Sequence, residues 1–162
     1  MNRELSLLFD ESIRLESNVA DLYVMFQDMF PEDADFWRAL IIEERKHGTL
    51  LTNGKAHFAP GNTFPVDLLS DTLDEMKDAN TNLAKLISQY REKPLSRETA
   101  FNVAITVEQS AGEIHFQAFM DKKADSRYVE LFQKMNGYDK DHENRIRAYM
   151  KDHAIKVSKS NS

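Results

Sequence analysis

The sequence predicts an all-α fold: an antiparallel bundle of four long helices, with a long, partly helical crossover between the second and third. Two observations carry that prediction. Apolar residues recur at steps of three and four along four long stretches, which is the spacing of one buried helix face. Only five glycines and four prolines occur in 162 residues, and every proline falls between the periodic stretches. The strongest helix breakers therefore mark boundaries and spare the interiors. At this length the chain is most simply one domain over 1–154, large enough for a substantial core.

The first helix is expected over 2–29, with a seam of Leu5, Phe9, Ser12, Glu16, Val19, Tyr23, Phe26 and Phe30. Pro31 marks a tight turn. The second helix, 33–58, has a seam of Trp37, Leu40, Glu44, His47, Leu51, Gly54 and Phe58. Pro60-Gly61-Asn62 then breaks the chain. A crossover over 66–91 turns helical again, with Leu69, Leu73, Met76, Leu83, Leu86, Ile87 and Tyr90 near one stripe. Asn80-Thr81-Asn82 weakens its middle, so one helix or two short ones are both open. Pro94 fences the third helix, 97–121, and Ser96 is its expected N-cap. Its seam holds Phe101, Ala104, Glu108, Ala111, His115 and Ala118. After a turn near Lys123, the fourth helix, 125–154, carries Tyr128, Phe132, Met135, Asp139, His142, Ile146 and Tyr149. Residues 155–162 are expected to trail as a flexible tail. The crossover would let the second and third helices run parallel while each hairpin stays antiparallel.

Composition narrows the function classes. Without cysteine, disulfides, thiolate ligands and thiol catalysis are excluded. The formal charge of −6 argues against nucleic acid and anionic membranes as partners. The start, Met1-Asn2-Arg3-Glu4-Leu5, lacks a signal-like apolar run, and no stretch is long and apolar enough for a membrane helix. A cytoplasmic location is expected.

Six side chains break the apolar seams: Glu16, Glu44, His47, Glu108, Asp139 and His142. A buried cluster of bare carboxylates repels itself and loses hydration, and two divalent cations would balance four such charges. Glu44/His47 and Asp139/His142 are acid-x-x-His pairs, whose i, i+3 spacing puts both ligands on one helix face. Depth agrees. Glu16 and Glu44 lie about 14 residues either side of the Pro31 turn, or ~20 Å along each helix. Glu108 and Asp139 stand about as far from the Lys123 turn. All four acids can meet at one level. Carboxylates with two imidazoles suit iron or manganese, with zinc a possible substitute.

These residues are similar to those of the ferritin-like di-iron carboxylate superfamily, and most closely of its rubrerythrin branch, over about residues 2–152. The resemblance implies that Glu16 and Glu108 each cap one iron of a pair. It implies that Glu44 and Asp139 bridge the two, and that His47 and His142 each bind one. Tyr23 matches a tyrosine that rubrerythrins keep beside the centre, and His115 is a candidate for a supporting hydrogen bond or proton transfer. Three departures stand out: Ala111 replaces a further acid, Asp139 replaces a glutamate, and no Cys-rich electron-donor domain is present. Glu43 and Glu113 fall off the seams and are expected to face water. His57 and His153, near helix ends, receive no chemical role.

The function implied is a non-haem di-iron oxidoreductase that reduces peroxide or oxidises Fe(II) with peroxide or dioxygen. It would be served by a separate electron-donor protein and would form a homodimer. A non-enzymatic iron-handling protein, or a structural bundle with a vestigial site, are the alternatives.

Overall fold

A computed structural model describes residues 3–58, 72–109, 123, 130 and 142–161, apart from the side chains of 57, 58 and 161. Among these residues the regular structure is helical throughout. Helix α1 spans Arg3–Met29, α2 Ala34–Phe58, α3 Leu73–Glu92, α4 Arg97–Glu108 and α5 His142–Asp152. Single 3-10 turns occupy Pro31–Asp33 and Lys159–Asn161. Among the described residues no helix is long and apolar enough to cross a membrane. The expected seam positions Leu69, Ala111, Ala118, Tyr128, Phe132 and Met135 lie outside the described residues.

Helix α1 buries Phe9, Ser12, Leu15, Val19, Leu22, Tyr23 and Phe26, an apolar stripe wide enough to meet two neighbours. Pro31 begins the turn with a fixed φ and no N–H to satisfy. Phe30 N–H closes on Phe26 O at 2.9 Å and Asp33 N–H on Phe30 O at 3.0 Å. The chain then returns antiparallel. Gln27 bonds Ala34 beside the turn, and Lys55 meets Asp10 at the far end. Trp37, Leu40, Glu44, His47, Leu51 and Gly54 of α2 are all buried.

The crossover helix is continuous through Asn80-Thr81-Asn82. Asn80 is buried and fastens α3 to α1: it accepts from Asn18 Nδ2 and donates to the carbonyl and carboxylate of Glu11, each at 2.8 Å. A residue that weakens a solvated helix strengthens a buried one when every polar atom is matched. Thr72 caps α3 by accepting from Glu75 N–H, and Ser96 caps α4 by accepting from Thr99 N–H, both at 3.2 Å.

Helix α5 runs antiparallel to α4, with Gln109 bonded to Glu143 and Asn102 to the Lys156 carbonyl. Beyond α5 the chain does not trail away as expected. Ala154 turns it at φ 54°, and Ile155 N–H reaches back to Met150 O at 2.8 Å. The Asn102 side chain then holds both Lys156 O and Ser158 N–H. Ile155 is buried in the core and Val157 packs against it, so apolar burial and Asn102 dock the segment together.

The two hairpins meet through an aromatic layer near the Pro31 turn. Trp37 lies 4.5 Å, centroid to centroid, from Phe101, and Phe36 stacks on Tyr149 at 4.1 Å. Asp33 closes that end. It is 1 % exposed, receives both Nε and Nη2 of Arg97 at 2.7 and 2.6 Å, and accepts from the Tyr149 hydroxyl at 2.8 Å. Burial pushes its carboxyl up, but the Arg97 and Tyr149 hydrogen bonds outweigh burial and hold it below the usual range.

A lowered folded pKa contributes stability above the unfolded value, near the ordinary 3.8, and loses it as pH falls through the folded value. Asp33→Asn should therefore lower the denaturation midpoint by a nearly constant amount across neutral pH, with the gap to wild type closing below about pH 4. Urea melts at several pH values measure this. Ala154 occupies a left-handed helix-end position that favours glycine. Ala154→Gly should stabilise the protein by about 1 kcal/mol in the same assay.

Candidate metal centre

One further helical stretch beyond the aromatic layer, the seams become acidic. Trp37 and Glu44 are seven residues apart on α2, as are Phe101 and Glu108 on α4. Trp37 faces Phe101, and Glu44 clusters with Glu108. The two helices are thus in parallel register, and the same heptad step that pairs the rings pairs the carboxylates. Glu16 enters from α1, His47 from the next turn of α2, and His142 from α5.

The side chains form two triads that share one member. Glu16, Glu44 and His47 bring potential ligand atoms within 4.8 Å of one another, and so do Glu44, Glu108 and His142. The two oxygens of Glu44 divide between them. Oε2 lies 3.4 Å from His47 Nδ1, and Oε1 lies 2.9 Å from His142 Nδ1. Glu16 approaches His47 Nδ1 at 3.5 Å, and Glu108 approaches His142 Nδ1 at 3.4 Å. The imidazole rings stand 5.5 Å apart, nearly parallel. Asp139 and His115 lie outside the described residues, as do Ala111 and Glu113.

Whether these residues suit a metal can be tested on Glu44. Its side chain is 1 % exposed, yet neither oxygen receives an aligned hydrogen bond among the described residues, despite the nearby imidazole nitrogens. Buried carboxylate oxygens without donors are costly. Oxygen and imidazole donors converge on each side of it, and that donor set fits a hard or borderline divalent cation on either side.

Without metal, protons take up the charge balance. Burial alone would lower His47, but Glu16 and Glu44 outweigh it and push the imidazole up to about 11. Burial likewise opposes His142, which Glu108, Glu43 and Glu44 raise well above its ordinary range. Burial would raise Glu44, but the two histidines hold it below the usual carboxylate range. Burial pushes Glu16 up to about 7 against the pull of His47, and raises Glu108 against the pull of His142.

Two residues position the second triad. The Tyr23 hydroxyl, wholly buried, donates to Glu108 Oε1 and leaves Oε2 toward His142. The rubrerythrin resemblance implied a tyrosine at this position beside the centre. Glu43 is the correction. It was expected in water, but it is largely buried, accepting from His142 Nε2 at 2.8 Å and pairing with Arg145. Glu43 follows the α2 backbone a hundred degrees from Glu44, which aims it at α5 rather than outward. His142-x-x-Arg145 places the arginine on the histidine's face of α5, a pairing legible in the sequence. With Nε2–H engaged by Glu43, Nδ1 is the nitrogen turned to Glu44 and Glu108. Burial would raise Glu43, but His142 and Arg145 keep it below its ordinary value. His153, at the distant end of α5, stacks on Tyr149 and takes no part here.

A groove of about 260 Å³ between α1 and α2, lined by Ile13, Ser17, Arg45, Gly48 and Thr49, reaches Glu44 from outside. The Glu44 oxygens themselves stay buried behind its wall.

Compared with models of protein families, with characterised proteins and with solved structures, the chain finds no match.

If Glu43 orients His142, Glu43→Ala should weaken Mn²⁺ or Zn²⁺ binding at the second triad about 10–100-fold. Glu43→Gln keeps an acceptor for Nε2–H and should lose less. Calorimetric titration of the three proteins compares them.

Proposed function

We propose that this chain is a non-haem di-iron oxidoreductase with a ferritin-like four-helix bundle, closest in character to rubrerythrins, that reduces peroxide or oxidises Fe(II). The observation that carries the reading is the shared Glu44: one buried carboxylate, each oxygen turned to a different histidine and a different second acid. A lone site needs no such division. Glu16 and His47 would hold one ion, Glu108 and His142 the other, with Glu44 between them and Asp139 completing the set.

Bound as a pair, the iron ions supply the two electrons that peroxide reduction consumes. The chain's own residues do the rest. Glu43 and Arg145 fix the His142 ring, and Tyr23 fixes Glu108. The apolar layer of Phe26, Trp37 and Phe101 keeps water from the inner side of the cluster. The groove beside Gly48 brings the oxidant to the outer wall of the cluster. With no cysteine in the chain, electrons come from a separate donor.

Loading must displace the protons that His47 and His142 hold, so metal affinity should rise with pH and each ion bound should release protons. Glu44→Ala should remove both ions, whereas Glu16→Ala should remove one and leave the second triad filled. Elemental analysis of iron-loaded protein decides between these outcomes. Two ions retained in Glu44→Ala, or none bound by wild type, would overturn the dinuclear reading. Peroxide consumption by the reduced, loaded protein then separates turnover from metal storage.

A further inference from the structure

Charge is unevenly spread over this chain. Asp and Glu outnumber Lys and Arg by 27 to 21, and the exposed residues of α1 and α3 are acidic on balance. The outer face of α2 is the exception. Between Phe36 and Asn53 its exposed residues are Arg38, Ile42, Arg45, Lys46, Thr49 and Thr52, with no acid among them. The acids of that stretch, Glu43 and Glu44, are turned to the two histidines instead. Steps of four and three put Arg38, Ile42, Arg45 and Lys46 on one helix face, ~12 Å from end to end. Among the described residues the three cations make no ion pair. Ile42, in their midst, is 49 % exposed, more than any other large apolar side chain described.

A lone exposed isoleucine is ordinary, and so is a solvated basic helix face. Their arrangement and their place point further. An apolar centre ringed by cations, two of them arginines, has the layout of a small protein–protein interface. It also lies over a short bonded route to the candidate centre. At the α5 edge of the face, Arg145 is partly exposed and pairs with Glu43, which accepts from His142 Nε2 at 2.8 Å. Two hydrogen bonds thus join the surface to an imidazole of the second triad. Glu43 follows Ile42 directly, so that route reaches the surface one residue from the apolar centre.

We propose that the outer face of α2, with Arg38, Ile42 and Lys46 at its centre and Arg145 at its edge, docks a small acidic protein that donates single electrons, an inference that rests on the redox reading above. Carboxylates of the donor meet the cations, and an apolar residue of the donor covers Ile42. Opposite charge steers the encounter and fixes its register. A patch this short suits the small, brief contacts of electron carriers. Each encounter passes one electron to the centre. Two encounters, with two protons from solvent, reduce one hydrogen peroxide to two waters and leave two donors oxidised. Nucleic acid is the weaker fit. A long polyanion would run past this patch onto acidic faces, whereas a small protein engages the patch alone.

The probe is an acidic [2Fe–2S] ferredoxin, with cytochrome c as a cationic carrier and a DNA duplex as a polyanion without redox chemistry. At low salt the full chain should bind the ferredoxin, with nuclear magnetic resonance shifts centred on residues 38–46. Arg38→Glu combined with Lys46→Glu should weaken binding about tenfold or more. Ile42→Ser, which leaves the charge alone, should weaken it about fivefold. Lys77→Glu combined with Lys85→Glu, on exposed positions of α3, changes the net charge equally and should leave binding intact. Equal losses in the two double variants, no binding of ferredoxin, or binding of cytochrome c or the duplex as tight as that of ferredoxin would each overturn the proposal. In iron-loaded protein the α2 double variant should slow ferredoxin-driven peroxide reduction by the same factor and leave dithionite-driven reduction unchanged; an unslowed ferredoxin reaction would also overturn it. The two readings fail separately. If dithionite drives peroxide reduction and ferredoxin does not dock, the docking face has failed. If ferredoxin docks and neither reductant drives it, the redox reading has failed and the donor's role falls with it.

Discussion

A carboxylate that has left water must be given charge of the opposite sign, and Glu44 is where that constraint is most severe. It is buried as deeply as the apolar core and touched from two sides by imidazoles. Its ionised form survives only because both histidines are held cationic, and each histidine is cationic only because acids surround it. No member of the set can be removed without stranding another. The cluster therefore acts as one unit, and the helices that supply it must hold a common depth.

That depth is fixed from the other end. Asp33 ties the Pro31 turn to Arg97 at the start of α4 and to Tyr149 in α5. Glu108 and His142 lie further along those same two helices, eleven residues from Arg97 and seven from Tyr149. Each of α4 and α5 is thus held at one level by Asp33 and at another by the acidic cluster, with aromatic rings between. The rings exclude water from both charged groups, and so strengthen the electrostatics that hold each in place. A slip of one helix by one residue would break the clamp and the cluster together.

The seams were legible in the sequence because helical periodicity is a local property. Trp37, Leu40, Glu44 and His47 fall where spacing places them, and acids on a seam are conspicuous. Residues whose role depends on a neighbouring helix were less legible. Asn80 looked like a weak point, since nothing in its own stretch shows the Glu11 and Asn18 atoms that match it. Glu43 looked exposed because its partner, His142, is 99 residues away. Asp33 gives no local sign of its role, since the Arg97 and Tyr149 that bind it lie 64 and 116 residues away. The C-terminal segment looked loose because the Asn102 side chain that holds it and the core that receives Ile155 are distant in sequence. Sequence pattern reports which face is buried, and long-range polar pairing has no such period.

The alignment of the cluster supports the metal reading proposed above over a purely structural one. A salt-bridge network serving stability alone gains most when each N–H points along an acceptor lone pair. Glu43 and Asp33 are held in that way, with donors from His142 and Arg145 in one case and from Arg97 and Tyr149 in the other. Glu44 is not: its oxygens lie near two imidazole nitrogens without an aligned bond to either. The same chain thus builds well-directed pairs around the cluster and leaves the shared carboxylate at its heart undirected. Ligand atoms that surround a common point, instead of pointing at one another, are what a bound cation requires. The outer pairs then have a role that the inner residues cannot fill, which is to keep those atoms in place when only protons balance the charge.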